Sequence, residues 1–172
     1  YDQLTVEEII TKSSNIGTAK VAMRMGGERL HRYISQLGFG SKTGVSLPGE
    51  IRGLLHPYKK WNKLSISRIP MGHEIAATPI QLVMAMSAVA NGGRLMRPKL
   101  IDKLTDRDGN TVVQYNSAEV RKVINDLAAQ QMVEALITVV SPNGTARQAW
   151  LENYQVAGKT GTAQKPSKTR RG

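Results

Sequence analysis

Two copies of the tripeptide Lys-Thr-Gly are the residues that most directly suggest chemistry, one at Lys42–Gly44 and one at Lys159–Gly161. A lysine beside glycine and threonine can bind a phosphate or a carboxylate. A phosphate-binding P-loop needs a glycine five positions before its Gly-Lys-Thr and a helix after it. Asn153 stands at that position before the second copy, and no helical pattern follows. The first copy follows Ser41, and we expect it to be an ordinary loop.

The second copy fits an extended strand. On a strand, Lys159 and Gly161 would point to one face and Thr160 and Thr162 to the other. Glycines at 158 and 161 allow a ligand to approach the backbone closely. Such an edge can bind an extended peptide through main-chain hydrogen bonds, while lysine and hydroxyl groups hold a carboxylate. The alternative is an ordinary edge strand whose lysine prevents aggregation.

A second candidate set is the triplet Ser13–Asn15, of the form Ser-x-Asn. Three short motifs occur together in the serine-lysine acyl enzymes: Ser-x-x-Lys, Ser-Asp-Asn or a relative of it, and Lys-Thr-Gly. A triplet rich in serine and asparagine is also common at a helix terminus, so this motif has little weight alone. The motif gains weight because it precedes Lys159–Gly161 in the chain, as in those enzymes, and because it lies at a junction between two predicted helices.

Three short helices are predicted near the start of the chain. The capping-box pattern Thr5–Glu8 begins the first helix, which runs to about Lys12. The triplet Ser13–Asn15 interrupts it, and a second apolar stripe runs from Ile16 to Met23. A third stripe spans residues 30–37 and is followed by a glycine that ends it.

The rest of the chain alternates loops, helices and a hairpin. Residues 39–77 are rich in glycine, proline and basic residues and show no regular period. A helix follows with Thr78 as N-cap and Asn91 near its end. Because it carries few polar residues, we expect protein to surround it on nearly all sides. Residues 99–115 read as a hairpin whose turn is Asp106–Asn110.

A last helix is predicted from about Asp126 to Val140, before the turn sequence Ser-Pro-Asn-Gly. Its predicted buried face comprises Met132, Leu136, Val139 and Val140.

Composition excludes several classes of protein. The chain has 172 residues with 40% hydrophobic content, which suffices for a core, and it contains no cysteine. Neither a metal nor a cofactor is expected, since cysteine is absent and the histidines lack ligand-like spacing.

The net charge of +11 is concentrated in residues 51–68 and 165–172, which contain no acidic residue. These runs are typical of solvated loops, although with Tyr58 and Trp61 they could also bind nucleic acid or an anionic surface.

Four stretches carry a resemblance to a known family. They are ITKSSNIGTAKVAMRMG, LGFGSKTGVSLPGE, GHEIAATPIQLVMAMSAVANGGRLMRPKLI and VAGKTGTAQ. Together they resemble the transpeptidase domain of class B penicillin-binding proteins, which cross-link peptidoglycan, and within that group they are more similar to the division-type enzymes. The resemblance implies an α+β domain of the serine β-lactamase/transpeptidase-like fold. It also implies substrates that are peptidoglycan stem peptides, inhibition by β-lactams and a site on the outer face of a bacterial cytoplasmic membrane.

The resemblance also implies roles for individual residues. Ser13 would relay a proton to the leaving amine, and Asn15 would hold the substrate amide and the lysine of the nucleophile. Lys159 would place its charge beside Ser13. Thr160 and Thr162 would bind the substrate carboxylate, with the Thr162 N–H forming half of an oxyanion hole. Gly161 would leave room for the acyl group.

One motif of the family is missing. No serine in these 172 residues is followed three positions later by lysine, so the nucleophile motif is absent. We therefore expect residues 1–172 to be a partial transpeptidase domain: a helical lobe plus part of an antiparallel sheet, whose first strand carries Lys159–Thr162. The upstream nucleophile, the later strands, the membrane anchor and the contacts with cell-wall synthesis partners would lie outside it, and the piece alone would be inactive.

Other functions remain compatible with these residues. A β-lactamase or a β-lactam-sensing domain would share the fold and the motifs. A basic module that binds nucleic acid or an anionic surface is the alternative from another class, although we expect no nucleic acid to bind.

Overall fold

The structure is a computed structural model, and it describes residues 3–162. Its six α-helices are α1 Val6–Thr11, α2 Asn15–Met25, α3 Gly27–Gln36, α4 Ser65–Arg68, α5 Pro79–Ala90 and α6 Asp126–Val140. Its six short strands are β1 Leu54–Leu55, β2 Ile75–Ala76, β3 Arg94–Met96, β4 Lys103–Thr105, β5 Thr111–Gln114 and β6 Glu119–Lys122. Single 3₁₀ turns cover Tyr58–Lys60, Ile69–Met71 and Arg147–Ala149.

Helices α1 to α3 form where the sequence predicted them. The capping box at the start of α1 is present, since the Thr5 side chain accepts from the Glu8 N–H and the Glu8 carboxylate accepts from the Thr5 N–H. Helix α2 ends at Met25, and its C-cap is Gly26, whose φ of +88° a residue with a side chain rarely adopts. Helix α3 follows after this single residue and ends before Leu37.

The start of α5 also follows the predicted pattern. Thr78 and Gln81 form a second capping box, and Pro79 occupies the first helical position. The prediction that protein surrounds this helix on nearly all sides is wrong for the described residues. Its apolar side chains Leu82 and Val83 are 51% and 64% exposed, because β3, α6 and the loop before α5 pack on the opposite side.

Gln81 connects α5 to the irregular segment 39–77. Its side chain is 1% exposed, and its amide nitrogen donates to the carbonyls of Ser41 at 2.7 Å and Arg52 at 3.0 Å. The amide oxygen accepts from the Thr78 N–H at 2.9 Å. A buried amide satisfied in this way holds two distant points of a loop against one helix.

The strands form three separate antiparallel pairs. Strands β4 and β5 form the predicted hairpin, although both are shorter than expected. The other pairs, β1 with β2 and β3 with β6, join segments far apart in sequence and were not predicted. Strand β3 matters for the core, because its Leu95 is 2% exposed and packs with Met84, Ala88 and Val123.

Helix α6 spans the predicted residues and is the central support of the fold. Leu136, Val139 and Val140 are buried as expected, whereas Met132 is 37% exposed and the prediction for it is wrong. The smaller Ala129 and Ala135 take the buried positions instead, because they allow neighbouring elements to approach closely. Helices α1 and α5 both pack on α6.

This mixture of helices and antiparallel strands confirms the α+β class. Within residues 3–162, no helix is both long enough and apolar enough to span a membrane.

Candidate active site

Ser13 lies in the three-residue connection between α1 and α2. The Ser13 N–H donates to the Ile10 carbonyl at 3.1 Å, and the Ser14 N–H donates to the Ile9 carbonyl at 2.9 Å. This pair of bonds is the Schellman motif, which ends a helix with one left-handed residue. Ser13 is that residue, with a φ of 51°. The sequence therefore places a hydroxyl where glycine is usual.

The next two residues start α2. The Ser14 side chain accepts from the Gly17 N–H at 3.1 Å and is the N-cap, so Asn15 is the first helical residue. Asn15 is exposed, and its carboxamide makes no hydrogen bond within residues 3–162. Both the donor and the acceptor of this amide therefore remain open to a ligand.

Lys159 meets Ser13 directly, although 146 residues separate them. Its Nζ donates to Ser13 Oγ at 2.7 Å, to the Thr160 carbonyl at 3.0 Å and to Thr160 Oγ1 at 3.3 Å. An ammonium has three hydrogens and no lone pair. Because Ser13 Oγ must accept this bond, the Ser13 O–H proton is free to be donated to another group.

The electrostatic state of Lys159 differs from that of a free lysine. Partial removal of the ammonium from water lowers the pKa of Lys159 from its ordinary value. The residue stays exposed enough to meet a ligand from outside. A cation in this position favours a negative charge that develops on or near Ser13.

The segment that carries Lys159 is extended but is not part of a sheet. Residues 155–162 have no strand partner within the described part of the chain, so the expected strand at Lys159–Thr162 is not formed there. A β ladder needs a neighbouring strand to take its backbone groups. Instead, the Gly158 N–H donates to the Leu136 carbonyl of α6 at 3.1 Å, which fixes the segment just before the lysine. Residues 163 and 164, which end the stretch VAGKTGTAQ, lie outside the described residues.

The residues after Lys159 form an open edge. Thr160, Gly161 and Thr162 are all exposed, and a Cβ built on Gly161 would have no atom within 4 Å among the described residues. The space beside Gly161 is therefore open among the described residues. Thr160 Oγ1 lies 3.0 Å from Thr145 Oγ1, in the turn that follows α6.

Thr145 was not identified from the sequence. No motif connects it to the Lys-Thr-Gly segment, and the fold brings the two together because the chain reverses after α6. Gly144 permits this reversal, since a Cβ there would lie 2.0 Å from the Val139 carbonyl oxygen. The Ala146 N–H then donates to that same oxygen at 2.9 Å.

The first Lys-Thr-Gly is part of an internal loop contact. The carboxylate of Glu50 accepts from the Thr43 hydroxyl at 2.6 Å, from the Thr43 N–H at 2.5 Å and from the Gly44 N–H at 3.3 Å. These bonds, led by that of the Thr43 hydroxyl, lower the pKa of Glu50. Since Glu50 already occupies the polar groups of Thr43 and Gly44, this copy does not present a free carboxylate site.

The aromatic residues of the basic segment 51–68 pack against each other and against α3, although Tyr58 remains exposed. Tyr58 and Trp61 meet edge to face with ring centroids 5.7 Å apart, and His31 of α3 lies 5.5 Å from Trp61. The Trp61 indole N–H donates to the His56 carbonyl at 3.0 Å. The second basic segment, residues 165–172, lies outside the described residues. Residues 3–162 hold no cluster of three or more acidic or histidine side chains suited to a metal ion.

Comparison with known proteins identifies the family. Residues 1–172 match the penicillin binding protein transpeptidase domain. The chain is 39% identical over 165 residues to stage V sporulation protein D of Bacillus subtilis, covering 94% of this chain and 25% of that protein. It is 34% identical over 167 residues to the probable peptidoglycan D,D-transpeptidase PbpC of Pseudomonas aeruginosa, covering 96% of this chain and 27% of that protein.

A solved structure gives the same result. Penicillin-binding protein 3 of Mycobacterium tuberculosis in complex with ampicillin superposes with a TM-score of 0.87 at 33% identity, over 95% of this chain and 37% of that chain. The resemblance noted in the sequence is thus confirmed together with the fold, while the chain spans about a quarter of the length of the relatives that it matches. The chain belongs to the penicillin-binding protein transpeptidase domain family.

Proposed function

We propose that this chain supplies two of the three catalytic motifs of a serine-type D,D-transpeptidase that cross-links peptidoglycan. The observation that carries this proposal is the 2.7 Å hydrogen bond from Lys159 Nζ to Ser13 Oγ. It joins a Ser-x-Asn motif to a Lys-Thr-Gly motif in one small site, as serine acyl transfer requires. The transpeptidase names of the relatives support the same reaction.

The proposed reaction has two stages. A serine of a Ser-x-x-Lys motif, supplied outside residues 1–172, attacks the carbonyl of the penultimate D-alanine, and its proton passes to its lysine. The peptide C–N bond breaks, the terminal D-alanine leaves as an amine and an ester to the serine remains. An amine of a neighbouring strand then attacks the ester, forms the cross-linking amide and releases the serine.

Ser13 acts on the leaving group in this scheme. Because Lys159 donates to Ser13 Oγ, the Ser13 proton is available to the nitrogen that departs. Ser13 regains a proton from the lysine of the nucleophile, so protons balance over the cycle. The positive charge of Lys159 stabilises the partial negative charge on Ser13 Oγ during the transfer.

The substrate is held by the exposed edge after Lys159. The hydroxyls of Thr160 and Thr162 bind the terminal carboxylate, and Lys159 attracts it. The N–H of Thr162 contributes to an oxyanion hole, and Gly161 leaves space for the acyl chain. Asn15 presents a donor and an acceptor to the amide of the substrate and to the lysine of the nucleophile.

We expect β-lactams to inhibit such a site, because they combine a strained amide, which the serine can attack, with a carboxylate. The family is named for penicillin binding, and a relative with the same fold has been solved with ampicillin. We propose that peptidoglycan stem peptides are the substrates and that the protein works on the outer face of a bacterial cytoplasmic membrane. Contacts with other cell-wall synthesis proteins would involve parts outside residues 1–172.

The alternatives have less support. A β-lactamase or a sensor would use the same motifs, but the relatives reported above bear transpeptidase and sporulation names. A nucleic-acid binding module needs aromatic faces that are free to stack on bases. Trp61 instead packs against His31 and Tyr58.

Labelling with a fluorescent penicillin tests the proposal in a protein that contains this chain and a Ser-x-x-Lys segment. We expect Lys159→Ala to lower the acylation rate by about a hundredfold, in line with the loss of an electrostatic group in an active site. The matched control Lys42→Ala removes the lysine of the other tripeptide and should stay within about twofold. A strong loss for Lys42→Ala without a loss for Lys159→Ala would overturn the assignment.

A further inference from the structure

Helix α6 holds both halves of the candidate site. Helix α1, which ends two residues before Ser13, packs along α6. The segment that leads to Lys159 is attached to the same helix by the bond from the Gly158 N–H to the Leu136 carbonyl, 3.1 Å long. The spacing between Ser13 and Lys159 therefore depends on how two separate segments sit on one helix.

The attachment of α1 to α6 includes a contact between two threonines. Thr11, the last residue of α1, has its Oγ1 in hydrogen-bond contact with Oγ1 of Thr138. Thr11 is 9% exposed, and the neighbouring Val139 is 0% exposed. Thr138 lies two residues after Leu136, so both attachment points fall within one turn of α6.

The two hydroxyl protons of Thr11 and Thr138 can form only two of the three possible hydrogen bonds at a time. Thr11 Oγ1 also lies 2.9 Å from the Glu7 carbonyl, and Thr138 Oγ1 lies 2.8 Å from the Ala135 carbonyl. Each hydroxyl has one proton. One threonine therefore donates to the other, and the acceptor donates to the carbonyl of its own helix. The result is a directional bond between the helices.

We infer that Thr138 is a positioning residue that sets the distance between Ser13 Oγ and Lys159 Nζ through its bond to Thr11. This inference rests on the proposed function. Helix α1 has only six residues and is too short to be stable alone, so its place depends on its contacts. A directional bond two residues before Ser13 limits sliding of α1 along α6, which apolar packing alone permits.

Small displacements are enough to matter. The bond from Lys159 to Ser13 is 2.7 Å long, and a shift of about 1 Å would take it outside hydrogen-bond range. A misplacement of about 1 Å can lower the rate of an enzyme up to about a hundredfold. Thr138 would thus affect the reaction without touching the substrate.

The test replaces Thr138 in the full-length protein that contains this chain. Thr138→Val keeps the shape and removes the hydroxyl, while Thr138→Ser keeps the hydroxyl. We expect Thr138→Val to lower kcat with a stem-peptide substrate by about tenfold with little change in KM. Thr138→Ser should stay within about threefold of the unchanged protein. Thr105→Val, at an exposed threonine of the β4–β5 hairpin, is the matched control and should have no effect.

Repeating the test in the Ser13→Ala variant distinguishes a positioning role of Thr138 from general destabilisation of the protein. If Thr138 acts through Ser13, adding Thr138→Val to Ser13→Ala should lower the remaining activity by less than twofold. A tenfold further loss in that background, or a Thr138→Val variant with unchanged kcat, would overturn the inference. Thr11→Val serves as the second variant if Thr138→Val fails to fold, and the same outcomes apply to it.

The proposed function and this inference fail in different ways. Full activity of Ser13→Ala and Lys159→Ala would contradict the proposed function itself. Loss of activity in those two variants, with unchanged kcat in Thr138→Val and Thr11→Val, would contradict the positioning role alone.

Discussion

Ser13 occupies a backbone position that favours glycine. Its φ of 51° lies in the left-handed region, at the residue that ends the Schellman motif of α1. A residue with a Cβ is disfavoured there by about 1–2 kcal/mol. Backbone strain of this kind is concentrated at functional sites. The serine is therefore retained at a cost in stability, which fits a role for its hydroxyl.

Replacing Ser13 should separate stability from activity. We expect Ser13→Gly to have a free energy of unfolding about 1 kcal/mol higher than that of Ser13→Ala, because glycine adopts the left-handed conformation without a Cβ clash. Both variants should lose transpeptidase activity. Urea denaturation of the two variants measures the difference. A Ser13→Gly variant less stable than Ser13→Ala would show that the backbone of this residue is not strained.

The lowered pKa of Lys159 predicts a pH effect. Partial loss of hydration favours the neutral amine, so the ammonium loses its proton at a lower pH than an ordinary lysine, whose pKa is about 10.4. If the charged form is required, activity should fall as pH rises through this lowered pKa. The alkaline limb of kcat/KM should therefore lie below the range of a free lysine.

Lys159→Arg is the control for this pH effect, because arginine stays protonated throughout the range. The variant should be less active at neutral pH, since its planar group cannot reproduce the three bonds of Lys159. Its alkaline limb should move to higher pH. Identical alkaline limbs in the two proteins would mean that Lys159 does not titrate in the reaction.

At the residue scale, the sequence pointed to Ser13 and Lys159, which the fold brings together, but not to the residues that support them. Ser13 and Lys159 belong to short motifs, and a motif keeps its residue types at fixed spacing. Thr11, Thr138 and Thr145 belong to no motif and act through contacts that only the fold creates. Threonine is common in helices and turns, so nothing in the sequence distinguished these three.

At the scale of elements, local patterns were reliable and distant pairings were not. The capping box of α1 and the N-cap of α5 each depend on residues within four positions of one another, and both predictions are confirmed. Strands β3 and β6 were missed, because three or four residues carry little pattern and the two strands are separated by more than twenty residues. The predicted strand at Lys159–Thr162 has no partner within the described residues, because alternation of side chains cannot show which strand would be adjacent.

Gln81 offers a test of how α5 organises the long loop before it. Gln81→Met keeps the volume but removes the donor that serves the carbonyls of Ser41 and Arg52. Leaving buried carbonyls without a donor should lower the free energy of unfolding by about 1–3 kcal/mol. Thermal or urea denaturation measures the change.

Gln130→Met is the matched control for Gln81→Met, because Gln130 is an exposed glutamine on a helix. Its effect should stay within about 0.5 kcal/mol. Equal effects of the two substitutions would show that the bonds of Gln81 do not hold the loop.

At the scale of the whole molecule, the fold brings the start and the end of the described chain together on α6. Ser13 follows α1, Lys159 follows the turn after α6, and both segments are attached to one turn of that helix. The fold of these residues thus explains how two motifs that are far apart in the sequence come within hydrogen-bond distance of each other.

A double-mutant cycle on Ser13 and Lys159 is the most direct test of this coupling. The acylation rate with a fluorescent penicillin is measured for Ser13→Ala, Lys159→Ala and the double variant, in the protein that contains the Ser-x-x-Lys motif. If Lys159 acts through its bond to Ser13, the double variant should be no slower than the slower single variant, within about threefold. Losses that multiply in the double variant would show that the two residues act independently and would contradict the account.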